Sequence, residues 1–158
     1  MRFNRQFMVI IATFLSSVSL AFATSFETAS PIGYWKTIDD VTGKPKSIVQ
    51  VWKTTDEILM AKVVKIFPTK DVAKAKICTA CDGDKHNQPI VGMVIMSGLK
   101  LNNNQWKNGQ ILDPENGKTY SCSARLVENG KKLSIHGYVG FPMFGRSQTW
   151  ERVDLMSG

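Results

Sequence analysis

Between Lys118 and Val139 the chain spells out two alternating runs around an Asn-Gly step, and this pattern limits the fold more than any other. In Lys118–Val127, Tyr120, Cys122, Ala124 and Leu126 share one face, while Ser121, Ser123 and Arg125 take the other. A side-chain period of two belongs to a half-buried strand. Glu128-Asn129-Gly130-Lys131 follows, and residues 132–139 return with Leu133, Ile135 and Val139 on one face. Asn-Gly between such runs predicts a two-residue hairpin turn, because both central residues need positive φ. A lone hairpin is not stable, so further strands must cover its apolar face.

The rest of the chain supplies them. Residues 33–38, 47–53 and 57–67 are rich in β-branched and aromatic side chains and read as strands. Under strict alternation Lys62 and Lys65 fall on opposite faces of the third, so neither face is wholly apolar. Asp39-Asp40-Val41-Thr42-Gly43-Lys44-Pro45 and Thr54-Thr55-Asp56 are turn compositions. Residues 89–101 are the most apolar segment and read as a buried strand, which periodicity alone does not separate from a short helix. Asn102-Asn103-Asn104 is a turn, residues 106–112 form a short strand interrupted by Gly109, and Asp113-Pro114-Glu115-Asn116-Gly117 is dense turn chemistry. Residues 140–145 form a loop that shows Phe141, Met143 and Phe144, and residues 147–153 are the last strand. Residues 69–88 are the longest irregular stretch, with a short helix over 70–76 capped by Thr69. About eight to ten strands joined by short turns predict an all-β antiparallel meander that closes into a barrel or sandwich.

An export signal precedes this domain. Arg2 and Arg5 head an apolar run over residues 7–20, and Ala21-Phe22-Ala23 offers the small-x-small pattern of a signal-peptidase cut. The run is shorter than the about 20 apolar residues a spanning helix needs. Residues 24–31 carry Glu27 and no basic stop-transfer flank. The expectation is a signal peptide over 1–23, cut after Ala23, and a single domain over 24–158 beginning with a polar, mobile leader at 24–31. The product is then periplasmic or secreted, with no transmembrane anchor after processing.

Without Arg2 and Arg5, the 20 Lys+Arg fall to 18 against 13 Asp+Glu, a surplus of five positive charges. Such a surplus favours an anionic envelope surface, or serves solubility alone, since the lysines are scattered. Nothing points to nucleic acid: zinc-finger spacing and aromatic RNA-binding signatures are both missing.

Exported chains oxidise their thiols. Cys78, Cys81 and Cys122 therefore predict a disulfide, and the sequence does not say which two pair. Two alternatives stand beside a structural bridge. Cys78-x-x-Cys81 is a redox spacing, although Asp82-Gly83-Asp84 follows it instead of a helix. Three thiolates with His86 are also a zinc set, although a second paired half is missing.

Catalytic signatures are hard to find. The chain has no Gly-x-Ser-x-Gly elbow and no phosphate-binding glycine loop. Asp82-x-Asp84 and Asp113-x-Glu115-x-Gly117 lack the remaining ligands of a calcium loop. His136 lies on the face opposite Leu133 and Ile135, as a surface strand residue. No metal or cofactor is called for.

Gly33-x-Trp35 on the first strand and Trp150-x-Arg152 on the last resemble the lipocalin pattern. The resemblance implies a barrel plugged at one end by Trp35, with Arg152 lying across its indole. Four longer stretches resemble the bacterial exported family known as domain of unknown function 2147. They are Gly33-x-Trp35…Asp39-x-x-x-Gly43-Lys44-Pro45, Cys78-x-x-Cys81…Pro89-x-x-Gly92, Gly109-x-Ile111-Leu112-Asp113-Pro114-Glu115-Asn116-Gly117-Lys118-x-Tyr120, and Gly140-x-x-x-x-Gly145-Arg146-x-x-x-Trp150-x-Arg152. This likeness implies an envelope location and a lipocalin-like barrel, and it implies no activity.

The functional expectation is a non-enzymatic barrel that binds a small apolar or anionic amphipathic ligand. Phe141, Met143 and Phe144 are its mouth candidates, with Arg146 as a cationic anchor and Trp106, Tyr120 and Trp150 as lining. The alternatives are a filled barrel that contacts the envelope surface, and a thiol protein acting through Cys78 and Cys81.

Overall fold

The computed structural model describes residues 29–68 and 76–154. The signal peptide expected over 1–23, its expected cut after Ala23 and the helix expected over 70–76, apart from Lys76, lie outside the described residues. Among the described residues the strands are β1 Gly33–Ile38, β2 Pro45–Lys53, β3 Leu59–Ile66, β4 Val94–Asn102, β5 Gln105–Asp113, β6 Lys118–Val127, β7 Lys132–Tyr138 and β8 Gly145–Val153. Each pairs antiparallel with its sequence neighbour, and β8 returns to β1, so the meander is a closed barrel. Closure removes the free edges an open sheet would expose.

The two ends differ. At one end Trp35 is fully buried and the Arg152 guanidinium lies 4.2 Å from its ring centroid. Arg152 donates from Nε to Gly130 O (2.8 Å), from Nη1 to Ile32 O (3.1 Å) and from Nη2 to Ser30 O. Trp35 Nε1 donates to Pro31 O at 2.8 Å. Gly33, at φ 132°, lets Arg152 in: a Cβ there would stand 3.1 Å from Nη1. The described part of the expected mobile leader, residues 29–31, is thereby pinned across the closed end. Connections 39–44, 114–117 and 139–144, with the described residues 67–68 and 76–93 between β3 and β4, gather at the other, open end.

Several local expectations change. Pairing of β6 with β7 stops at Val127↔Lys132, so the Asn-Gly connection is a four-residue loop and not a two-residue turn. Asn129 (φ 54°) and Gly130 (φ 81°) do take positive φ, and Glu128 (φ 50°) joins them. The loop spreads because Gly130 sits on the entry segment, where a Cβ would be 2.5 Å from Ala29 Cβ. The tight turn falls instead at Asn103-Asn104, between the paired Asn102 and Gln105.

A register shift between Ile48 and Val49 on β2 inserts a bulge opposite, in β3. Val63 stays inside, while Lys62 and Lys65 both turn outward, over the rings of Trp52 and Phe67. The inner face of β3 is therefore apolar, against the expectation from strict alternation. Residues 89–93 form a turn before β4, and the apolar run is a strand only from Val94. Gly109 does not interrupt β5: it admits Leu99, whose Cγ would lie 2.3 Å from an added Cβ. Val139 falls beyond the end of β7 and is 67% exposed, so Gly137 takes the inward position after Ile135.

Candidate functional site

A cavity of about 1000 Å³ opens at the end opposite Trp35. Its walls divide by chemistry. Val63 and Ile66 of β3, Ile95 of β4, Ile111 of β5 and Ile135 of β7 make an aliphatic side, with Trp150 as the floor. Thr37, Lys46, Ser47, Arg146 and Gln148 make a polar side, and they come from three adjacent strands, β8, β1 and β2. The volume lies at the upper end of the about 300–1000 Å³ range of small-molecule pockets.

The polar side is internally ordered. Thr37, a buried polar residue, and Ser47 share a hydroxyl–hydroxyl bond of 2.7 Å, and Ser47 N–H donates to Thr37 Oγ1 at 3.1 Å. Gln148 Nε2 donates to Asp40 Oδ2 at 2.8 Å, tying β8 to the β1–β2 loop. Asn116 Nδ2 donates to Tyr120 OH (3.1 Å) and to Asp113 Oδ2 (3.0 Å), fixing the β5–β6 loop over Tyr120. Lys46 Nζ lies 2.8 Å from Glu115 Oε2.

The irregular segment before β4 is part of this mouth. Cys78 and Cys81 form a disulfide, and both are buried. Around it Cys78 N–H donates to Gln88 O, Asn87 N–H to Cys78 O and Ile90 N–H to Lys76 O, so residues 76–90 fold back on themselves as a flap. Ile77, Thr79 and Ile90 of the flap line the cavity. The flap rests on Gly117 of the β5–β6 loop, where a Cβ would stand 1.7 Å from Ala80 O.

This pairing uses two of the three thiolates that the zinc alternative needs. His86 instead bonds its own loop, with Nδ1 2.9 Å from Cys81 O. Cys122 is free and buried on the inner face of β6, and burial pushes its thiol up to about 12. A thiol held protonated in this way is a poor nucleophile.

Of the residues named from sequence, Phe144, Arg146, Tyr120 and Trp150 stand on the cavity wall. Phe141 and Met143 are exposed on the rim, at 69% and 81%, and are not on the wall. Trp106 does not line the cavity: it packs in the core near the closed end, paired with Ala124. His136 faces outward as expected, with Nδ1 2.9 Å from Ser147 Oγ and Nε2 2.7 Å from Pro142 O. Sequence reasoning missed Lys46, Thr37, Ser47, Gln148 and Asp40, and no local pattern marks them, because only barrel closure brings β8, β1 and β2 together.

Comparison with known proteins agrees with this geometry. The family described as "Uncharacterized protein conserved in bacteria (DUF2147)" matches residues 33–152. The solved structure of HP1028 from Helicobacter pylori, described as belonging to the lipocalin family, superposes with a TM-score of 0.68 at 23% identity, over 82% of this chain and 86% of that one. At that identity the likeness shows the fold. No curated protein matches the sequence.

Proposed function

The chain belongs to the uncharacterised bacterial DUF2147 family, and from that premise we propose that it is a binding protein holding one small apolar or amphipathic ligand inside a lipocalin-like barrel. The observation that carries this reading is the cavity of about 1000 Å³, aliphatic on one side and open at one end. An eight-stranded barrel has room for one such ligand. The charge and hydropathy pattern of residues 1–23 supports export, and with it an activity in the periplasm or outside the cell. Titration with dodecanol tests it, followed by calorimetry and through the tryptophan fluorescence, to which Trp150 on the cavity floor contributes. Saturable binding supports a carrier, and an unchanged spectrum with no heat of binding counts against one.

A second reading is contact with the envelope surface. Its support is the surplus of positive charge, together with an apolar rim at which Val41 (93% exposed), Val91, Phe141, Met143 and Phe144 surround the open end. Contact through lysines weakens at high salt, whereas occupancy of an aliphatic cavity does not. The thiol reading finds no support in a buried disulfide and a protonated Cys122.

A further inference from the structure

Lys46 and Glu115 come from opposite sides of the open end. Lys46 lies at the start of β2, and Glu115 stands in the β5–β6 loop, about half-way round the strand order. Both line the cavity, and their charged atoms meet at 2.8 Å. The ion pair therefore crosses the mouth.

Resting on the cavity reading above, we propose that Lys46 anchors the anionic headgroup of an amphiphilic ligand, and that Glu115 holds its place until that head arrives. The distribution of chemistry round the cavity supports this. Lys46 precedes Ser47 on β2, and Thr37, Ser47 and Arg146 line the same polar side of the cavity. Opposite it, aliphatic residues of β3, β4 and β5 line the wall together with Asp113, Glu115 and Asn116 at the β5–β6 connection. An alkyl chain lying inward puts its head at Lys46.

The other acids at the mouth are engaged elsewhere. Asp40 accepts from Gln148, and Asp113 accepts from Glu115 N–H and from Asn116. The Glu115 carboxylate has Lys46 as its partner among the described residues, and its side chain is 64% exposed. An exposed ion pair of this kind is weak, so a headgroup tethered to a buried chain can displace it.

Calorimetric titrations with dodecanoate and with dodecanol, above the carboxylate pKa, test the anchor in the full barrel. Wild type binds dodecanoate about two- to fivefold more tightly than dodecanol, the scale of one exposed charge contact. Lys46→Met abolishes that preference and keeps dodecanol binding. Glu115→Gln raises dodecanoate affinity roughly two- to fivefold, the strength of the exposed pair it removes, and leaves dodecanol unchanged. Lys46→Gln and an unfolding curve for each variant separate lost folding from lost binding. Equal dodecanoate affinity in wild type and in folded Lys46 variants overturns the anchor, while dodecanol binding leaves the cavity reading standing. If neither probe binds wild type, both fall.

Discussion

Arg152 pairs with Trp35 across the β1–β8 seam, and its guanidinium covers the Trp35 ring at 4.2 Å. The contact joins three parts of the chain, because the same guanidinium donates to the 128–131 loop and to the entry segment before β1. Burial lowers the Arg152 pKa from its ordinary value through desolvation, yet arginine stays charged in proteins. One end of the barrel is thus sealed by an aromatic plug, which leaves the other free to open.

Trp35→Ala is expected to cost about 3–5 kcal/mol in urea unfolding, the usual loss for a fully buried tryptophan. Arg152→Met should cost about 1–3 kcal/mol, because three carbonyls lose their donor. A loss below ~1 kcal/mol for Trp35→Ala would place it at the periphery of the fold.

Gly117 and Gly43 offer a matched pair. Both hold positive φ, at 70° and 67°, but only Gly117 has a neighbour in the way. Gly43→Ala should lose roughly 1 kcal/mol from backbone strain alone. Gly117→Ala should lose at least ~1 kcal/mol more, because the flap must lift from the β5–β6 loop. Equal losses in chemical denaturation would show that the flap does not rest there.

Cys122 gives the barrel a pH dependence on the alkaline side. Its thiol rises from 9.0 to about 12 in the folded state. Between those values the unfolded chain gives up the proton and the folded chain keeps it. That stabilisation is whole below pH 9.0 and is lost as pH rises towards about 12. Unfolding midpoints measured across this window should fall with pH, and less steeply in Cys122→Ala. Parallel slopes would contradict the burial of this thiol.

Replacing Cys78 and Cys81 together with serine should cost about 2 kcal/mol or less, because the bridge closes a very short loop. The barrel should persist in circular dichroism, with faster hydrogen exchange confined to the flap at 76–90. Loss of the whole fold would mean that the flap holds the barrel together.

Strands were legible wherever a chemical pattern ran along one stretch of chain. The alternation of Lys118–Val127, the turn at Asn102-Asn103-Asn104 and the Gly33-x-Trp35 opening all belong to this kind. Bulges were not legible, because the pairing of β2 with β3, and not the β3 sequence, decides that Lys65 turns outward. The cavity was half legible. Trp106 and Trp150 both carry the mark of inward aromatic residues, but their heights along the barrel axis differ, and only Trp150 reaches the hollow. Lys46 and Glu115 meet through the curvature of the whole barrel, which no window of sequence contains.

The central claim is that the barrel carries a ligand in its cavity, and native mass spectrometry of wild type beside Gly137→Leu tests it most directly. Gly137 lines the cavity, and a Cβ there would make ordinary contacts of 3.7 Å with Ile111 and 3.8 Å with Tyr120. A Cβ therefore fits the wall, and the rest of a leucine side chain projects into the hollow and narrows it. Wild type purified from cells that express the full chain should carry a discrete non-covalent adduct, missing from its denatured mass and depleted in Gly137→Leu. A bare wild-type mass, or the same adduct on both proteins, would contradict the account.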